Sequence, residues 1–123
     1  MNDAFIARTL GDALPEDERP MWTNHPAFAG VRLSERVAAR DTEGAFKTFV
    51  VRLEPNALMA AHRHPGQIEQ HFVLAGAGAF SLDGVKRAYR AGDLQIIPKN
   101  AEHSVSAGAS GMVLLALFSP ASG

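Results

Sequence analysis

After residue 30, apolar and polar residues fall into many short runs that are separated by turn residues. Residues 31–34 alternate between apolar and polar side chains, as a half-buried β-strand does, and residues 45–53 form a longer run rich in Phe, Val and Thr. Further candidate strands, in chain order, are residues 58–64, 69–74, 79–82, 85–89, 94–97, 103–106 and 112–118. No stretch after residue 30 holds a helical apolar period for three turns with caps, so the pattern predicts an all-β domain.

Turn residues support this division into strands. Asp83-Gly84 separates residues 79–82 from residues 85–89, and this two-residue turn predicts a type I′ hairpin. Gly76 and Gly78 predict a turn after residues 69–74, and two further glycines separate the last two candidate strands. About eight short strands favour a sandwich or a barrel, and the strand pattern alone does not separate these two architectures.

The N-terminal segment differs from the rest of the chain. Residues 9–26 carry acidic side chains and three prolines, which predicts an extended arm. We therefore divide the chain into an N-terminal arm over residues 1–30 and a β-domain over residues 31–123. Residues 1–10 lack the pattern of a signal peptide, and the longest apolar run, residues 112–118, is too short to cross a bilayer.

Composition narrows the classes of function. The 123 residues suit a single domain, and the formal net charge of −1 offers no basic surface for nucleic acid. The chain contains no cysteine, which excludes disulfides and thiolate metal sites and is compatible with a reducing cytoplasm. We expect a cytoplasmic protein whose partner is a small molecule rather than a membrane or a nucleic acid.

The histidines carry the candidate chemistry. His62 and His64 lie two residues apart, so in a strand both side chains leave the same face, with Cα atoms about 7 Å apart. Two imidazoles so placed can converge on one ion at about 2.1 Å each. Glu69 follows the Pro65-Gly66 turn, which can return a carboxylate to the same site, and a turn before His103 could aim a third imidazole there. Such a mixed donor set suits Fe²⁺, Mn²⁺, Ni²⁺, Co²⁺ or Zn²⁺.

Two stretches of the chain resemble the two motifs of the cupin superfamily. In the first motif, a Gly, five residues, a His-x-His pair, three or four residues, a Glu, six residues and a Gly follow one another. Residues 56–76 match it with His62, His64, Glu69 and Gly76, and residues 92–107 match the second motif with Gly92, Pro98, Asn100 and His103. The resemblance implies a double-stranded β-helix, or jelly-roll, barrel with one divalent transition metal held by His62, His64, Glu69 and His103.

Three positions depart from the family pattern. Asn56 and Asn100 stand where cupins usually have Gly, and Ala107 stands where they often have Asn. Asn is one of the few residues other than Gly that tolerates a positive φ, so both turns can form. Ala107 is not a ligand position, and its substitution weakens the resemblance only slightly.

Other residues near the motifs are candidates for catalysis. His71 lies two residues beyond Glu69, so a regular strand would turn it to the same inner face as a proton-transfer group, a substrate contact or a partner of a ligand. A core histidine that bonds a neighbouring carbonyl is an equal alternative. Tyr89 is a candidate base, although a tyrosine in a strand is more often part of the core. The pattern does not fix the faces of the cationic residues Lys47, Arg52 and Arg87, so an anionic substrate is only one option.

These observations support two functional hypotheses. The first is a small metal-dependent enzyme, for which a dioxygenase is narrowly favoured over an isomerase or a lyase. The second is a non-catalytic binding or sensor module whose metal helps to hold an organic ligand. The resemblance to small cupins also favours a homodimer, in which Trp22 and Phe28 would anchor the arm on the partner subunit.

Overall fold

The computed structural model describes residues 3–122 of the chain. Its helical parts are α1 (Asp3–Leu10) and two 3₁₀ helices, Glu16–Glu18 and Ala39–Thr42. Its strands are β1 (Thr23–Asn24), β2 (Val31–Val37), β3 (Lys47–Leu53), β4 (Leu58–His62), β5 (Ile68–Leu82), β6 (Val85–Arg90), β7 (Leu94–Ile97) and β8 (His103–Ser119). Among these residues, no helix combines the length and the apolar character that crossing a bilayer requires.

The strands form an antiparallel sheet in the order β1-β2-β3-β8-β5-β6, with β4 also paired to β8 and β7 also paired to β5. The two longest strands, β5 and β8, pair from Ile68↔Ser119 to Leu82↔His103. One half of this long pair carries β2, β3 and β7, and the other half carries β4 and β6. Both layers of the barrel therefore share β5 and β8, which confirms the all-β jelly-roll architecture.

The predicted turn at Gly76 and Gly78 is wrong, because β5 runs through both glycines. Its pairing with β8 changes register between Val73 and Ala75 and again between Gly76 and Gly78. A Cβ on Gly78 would collide with the backbone oxygen of Ser106, so the two strands approach too closely there for any side chain. Glycine here marks β-bulges that bend a continuous strand.

The predicted hairpin at Asp83-Gly84 is confirmed. Leu82 pairs with Val85, which leaves a two-residue loop between β5 and β6. Both loop residues have a positive φ, 49° at Asp83 and 83° at Gly84, as a type I′ turn requires.

Helix α1 was not predicted from the sequence. Its Ile6 and Leu10 lie four residues apart on one helix face and pack, with Trp22, against an outer apolar cluster that includes Val50 and Leu74. The Trp22 indole also donates a hydrogen bond to the backbone oxygen of Leu10, at 3.1 Å. In this structure the N-terminal segment thus packs on its own barrel, whereas its predicted contact with a partner subunit stays a prediction.

The main core lies inside the barrel. In β3, Val51 and Leu53 point inward to this core, whereas Val50 points outward to the cluster beneath α1. The interior is otherwise apolar, yet it also buries the side chains of Glu69, His71 and His103. Buried charged and imidazole groups are costly without partners, so this part of the interior is the natural place to look for chemistry.

Candidate metal centre

Four side chains predicted as ligands come from three strand ends. His62 is the last residue of β4, Glu69 is the second residue of β5, and His103 is the first residue of β8 and pairs directly with His62. His64 lies just beyond β4, and its backbone oxygen accepts a hydrogen bond from the Asn100 N–H, at 3.0 Å. This bond ties the loop that carries His64 to the turn that precedes His103.

The intervening Arg63 turns away from the site, as predicted. Its guanidinium donates a hydrogen bond to the Asn100 backbone oxygen at 2.8 Å and lies 3.4 Å from the Glu102 carboxylate. Both Arg63 and Glu102 are exposed, so this ion pair lies on the outer surface of the loop and contributes little to stability.

The four side chains converge on one point. The ligand nitrogens of His62, His64 and His103 lie within 4.8 Å of one another. Glu69 Oε1 lies 3.1 Å from His103 Nε2 and 3.5 Å from His64 Nε2. Three imidazoles and one carboxylate oxygen therefore surround a single small volume.

The hydrogen bonds around this cluster fit a cation. His62 Nδ1 lies 2.7 Å from the Ala60 backbone oxygen, and His103 Nδ1 lies 3.0 Å from that of Ala101. A carbonyl oxygen can only accept, so both Nδ1 atoms donate, and each Nε2 of a neutral ring directs its lone pair into the cluster. Glu69 Oε1 and His103 Nε2 are buried 3.1 Å apart, so a protonated His103 would pair with the carboxylate, whereas with a neutral ring neither atom has a hydrogen-bond donor in the described part of the chain. Leaving such atoms unsatisfied costs about 1–3 kcal/mol each, and a divalent cation would satisfy both.

Comparison with known proteins agrees with this geometry. The sequence profile of the cupin domain matches residues 49–118, which include all four converging side chains. The chain belongs to the cupin family. No curated protein sequence is significantly similar to it.

Solved structures show the same cupin fold. KdgF from a Halomonas species is 22% identical, with a TM-score of 0.72 over 81% of this chain and 86% of that one. A predicted oxalate decarboxylase from Thermotoga maritima is 21% identical, with a TM-score of 0.75 over 82% and 91%. An RmlC-like cupin from Shewanella frigidimarina is 18% identical, with a TM-score of 0.70 over 89% and 92%. At these identities the likeness concerns the fold alone.

Burial and neighbouring charges set the protonation of this cupin's cluster. Burial lowers the pKa of His62 and of His64, because it removes water from the charged imidazolium. Burial alone would raise the pKa of Glu69, but the nearby imidazoles of His103 and His71 hold it well below its usual value. Burial also opposes the charge on His103, yet the adjacent Glu69 carboxylate outweighs it and raises the pKa of His103. Glu69 is therefore ionised, which is the form that could bind a metal ion.

Behind Glu69, a hydrogen-bonded chain leads into the barrel core. The second carboxylate oxygen, Oε2, lies 2.6 Å from His71 Nε2, and His71 Nδ1 lies 2.9 Å from the Tyr89 hydroxyl. The carboxylate can only accept, so in a neutral His71 ring Nε2 donates to Glu69 and Nδ1 accepts from Tyr89. This chain satisfies Oε2 completely and leaves Oε1 directed at the imidazole cluster.

The cluster forms one wall of a cavity of about 290 Å³. His71 lines this cavity, whereas Tyr89 is fully buried behind it and does not. The Gln67 side chain also lines the cavity and donates hydrogen bonds to the backbone oxygens of Pro120 and Ala121. The remaining lining is largely apolar and includes the side chains of Leu33, Phe49, Val51, Met59, Leu114 and Phe118.

Two lining residues were not recognised as site residues from the sequence. His25, from the N-terminal segment, packs its ring 4.6 Å from that of Phe28, which in turn lies 5.3 Å from the His62 ring. Lys47, from the start of β3, also lines the cavity. No local pattern identified either residue: His25 follows the two-residue strand β1, and Lys47 is set in the cavity by the pairing of β3 with β8.

Proposed function

We propose that this cupin is a metal-dependent enzyme that acts on a small organic molecule. One divalent transition metal, Fe²⁺, Mn²⁺, Ni²⁺, Co²⁺ or Zn²⁺, is held by His62, His64, Glu69 and His103. The observation that carries the proposal is the convergence of three imidazole nitrogens and the Glu69 carboxylate on one small volume at the wall of a cavity.

When bound, the ion would supply Lewis-acid or dioxygen chemistry, for which a dioxygenase is favoured over an isomerase or a lyase. The remaining work falls to side chains of the chain itself. The apolar walls, including Phe49 and Phe118, exclude water and hold the organic part of a substrate. His62 and His64, which burial keeps neutral, present lone pairs at neutral pH rather than protons.

His71 and Tyr89 have a role through Glu69 in this proposal. His71 borders the cavity, but both of its ring nitrogens are engaged, one by Glu69 and one by Tyr89. A proton that moves through His71 therefore moves along this chain. Tyr89 acts as a positioning residue, because its hydroxyl is hydrogen-bonded to His71 and its side chain does not line the cavity.

Metal content tests the proposal directly. The protein is purified without a chelator or a histidine tag, beside His64→Ala and the control Arg63→Ala, which changes an outward-facing neighbour. We expect about one equivalent of a transition metal in the wild type and in Arg63→Ala, and little in His64→Ala, because removing one of four ligands weakens binding strongly. Absence of metal from the wild type after anaerobic reconstitution would refute the proposal.

A second candidate function is a non-catalytic binding or sensor module. The engagement of both His71 nitrogens favours this candidate, because a catalyst needs an acid–base group that is free to act. Outside the cluster itself, His25 and Lys47 are the remaining acid–base side chains among the described lining residues. Turnover of a small-molecule library by the metal-loaded protein supports the enzyme. Ligand-dependent shifts in melting temperature without turnover support the sensor.

We also propose that the chain forms a homodimer. Leu94 and Ile96 on β7 and Ile68 on β5 are exposed by 59%, 52% and 42%, on strands that pair with each other. Exposed apolar side chains on adjacent strands are typical of an interface between subunits. This surface, rather than Trp22 and Phe28 of the arm, carries the dimer proposal, because both of those rings pack within their own chain.

A further inference from the structure

Lys47 is a cation in a cavity whose other lining residues are apolar side chains, the imidazole–carboxylate cluster, and the side chains of His25, Gln67 and His71. It shares the inward-facing side of β3 with Phe49 and Val51, whereas Arg52 faces the other way and pairs with Asp12 at 3.0 Å. No carboxylate in residues 3–122 forms an ion pair with Lys47. A charge held in such a place without a partner suits the binding of an anion.

The strand register sets Lys47 across from the metal ligands. Phe118 of β8 pairs with Lys47 of β3 on one side and with Glu69 of β5 on the other. Directly paired residues point to the same face of a sheet, so these three side chains form one row on the inner surface. Adjacent strands lie about 4.8 Å apart, which separates the Cα atoms of Lys47 and Glu69 by about 10 Å.

Two aromatic rings hold the ammonium group in position. Lys47 Nζ lies 5.7 Å from the ring centre of Phe49 and 5.9 Å from that of Phe118. The Phe118 ring centre is in turn 5.1 Å from that of His64, so the ammonium lies within about 11 Å of the His64 imidazole. A molecule of a few carbon atoms spans the gap that remains between Lys47 and the cluster.

We propose that Lys47 binds the carboxylate of a small organic acid, and that a neighbouring hydroxyl or carbonyl oxygen of the same acid faces the imidazole cluster. The inference rests on the proposed metal centre, because the ionised Glu69 would repel a second anion unless a cation lay between them. Phe49 and Phe118 contact the carbon skeleton of this acid, and Lys47 selects acids over neutral analogues. The substrate class of this cupin is therefore a monocarboxylate with a nearby hydroxyl or carbonyl oxygen.

Matched acids and amides test this assignment. Glycolate, lactate and mandelate are titrated into metal-loaded protein by calorimetry, each beside its neutral amide. We expect at least one acid to bind about tenfold or more tightly than its amide, and Lys47→Met to reduce this preference about tenfold. Arg52→Met removes an outward-facing cation from the same strand and is expected to leave the preference unchanged. Lys47→Gln serves as a second neutral variant.

The outcomes separate the two proposals. An acid preference that is equal in wild type and both Lys47 variants overturns the role of Lys47, as does the absence of preference for all three acids. The metal content of the same samples is measured separately by elemental analysis. If the protein takes up no metal, the proposed metal centre is refuted, whatever the role of Lys47. Titration of chelator-treated protein completes the test, since we expect acid binding to weaken there while the folded structure persists by circular dichroism.

Discussion

Replacing Tyr89 with phenylalanine removes one hydroxyl group from the barrel interior and keeps the aromatic ring. The side chain is fully buried, and its ring stacks on that of Phe80 with centres 4.9 Å apart. Its oxygen lies 2.9 Å from His71 Nδ1, and in a neutral His71 ring whose Nε2 donates to Glu69 the hydroxyl donates to that nitrogen. The variant Tyr89→Phe therefore isolates this one hydrogen bond, because the packing of the ring is retained.

The magnitude follows from what His71 can do afterwards. Without the hydroxyl, His71 Nδ1 keeps a buried lone pair that no donor satisfies. The ring cannot relieve this by moving its proton to Nδ1, because Nε2 would then direct a lone pair at the Glu69 carboxylate, 2.6 Å away. An unsatisfied buried acceptor costs about 1–3 kcal/mol. For a domain of this size that corresponds to a melting temperature lower by about 4 °C per kcal/mol.

Urea unfolding of the metal-free protein, followed by circular dichroism, measures this free energy. The control is Thr9→Val, which removes a solvent-exposed hydroxyl that donates to the Phe5 backbone oxygen at 2.8 Å and is expected to change stability by less than about 0.5 kcal/mol. A Tyr89→Phe effect as small as that of the control would contradict the reasoning. We also expect metal affinity to fall by up to about tenfold, since the His71 ring that bonds Glu69 would lose the hydroxyl that orients it.

Two further predictions concern protons and assembly. Burial opposes the charge on His103, but the Glu69 carboxylate outweighs it and raises the pKa of His103. Near pH 6.5, metal binding must therefore displace a proton from that imidazole. Calorimetry in buffers of different ionisation enthalpy should show proton release that diminishes as the pH rises. If release does not depend on pH, His103 is not a ligand. The exposed apolar surface on β7 predicts a dimer by light scattering, and Leu94→Lys should shift the mass toward the monomer; a monomeric wild type would refute the dimer.

Local chemistry explains which features of this cupin could be predicted from its sequence. The turn at Asp83-Gly84 depends on two adjacent residues, and a positive φ of 61° at Asn100 shows that asparagine does replace glycine at that turn. The convergence of His62 with His103 was predicted from the spacing of the two cupin motifs, which reflects the pairing of β4 with β8 only indirectly. Helix α1 was missed because it has only eight residues, too few to show three turns of helical period.

The continuity of β5 and β8 was missed for a different physical reason. Glycine usually ends a strand, but Gly76 and Gly78 are required here because the backbone of β8 lies so close that a Cβ on either residue would collide with it. A close approach between strands is a property of the packed pair, and neither sequence segment contains it alone. The same glycines therefore indicated a turn in the sequence and form a bend in the fold.

The position of Lys47 shows most clearly what sequence pattern cannot supply. Both faces of β3 are apolar in part, because Val50 packs in the outer cluster and Val51 in the inner core, so alternation does not reveal which face Lys47 takes. Its pairing with Phe118 decides the matter, since a slip of one residue would turn Lys47 out of the cavity and Thr48 into it. The register that buries Val51 and Leu53 is thus the same register that holds an ammonium group opposite Glu69. A substitution that shifts β3 should therefore impair the packed core and the proposed acid site together.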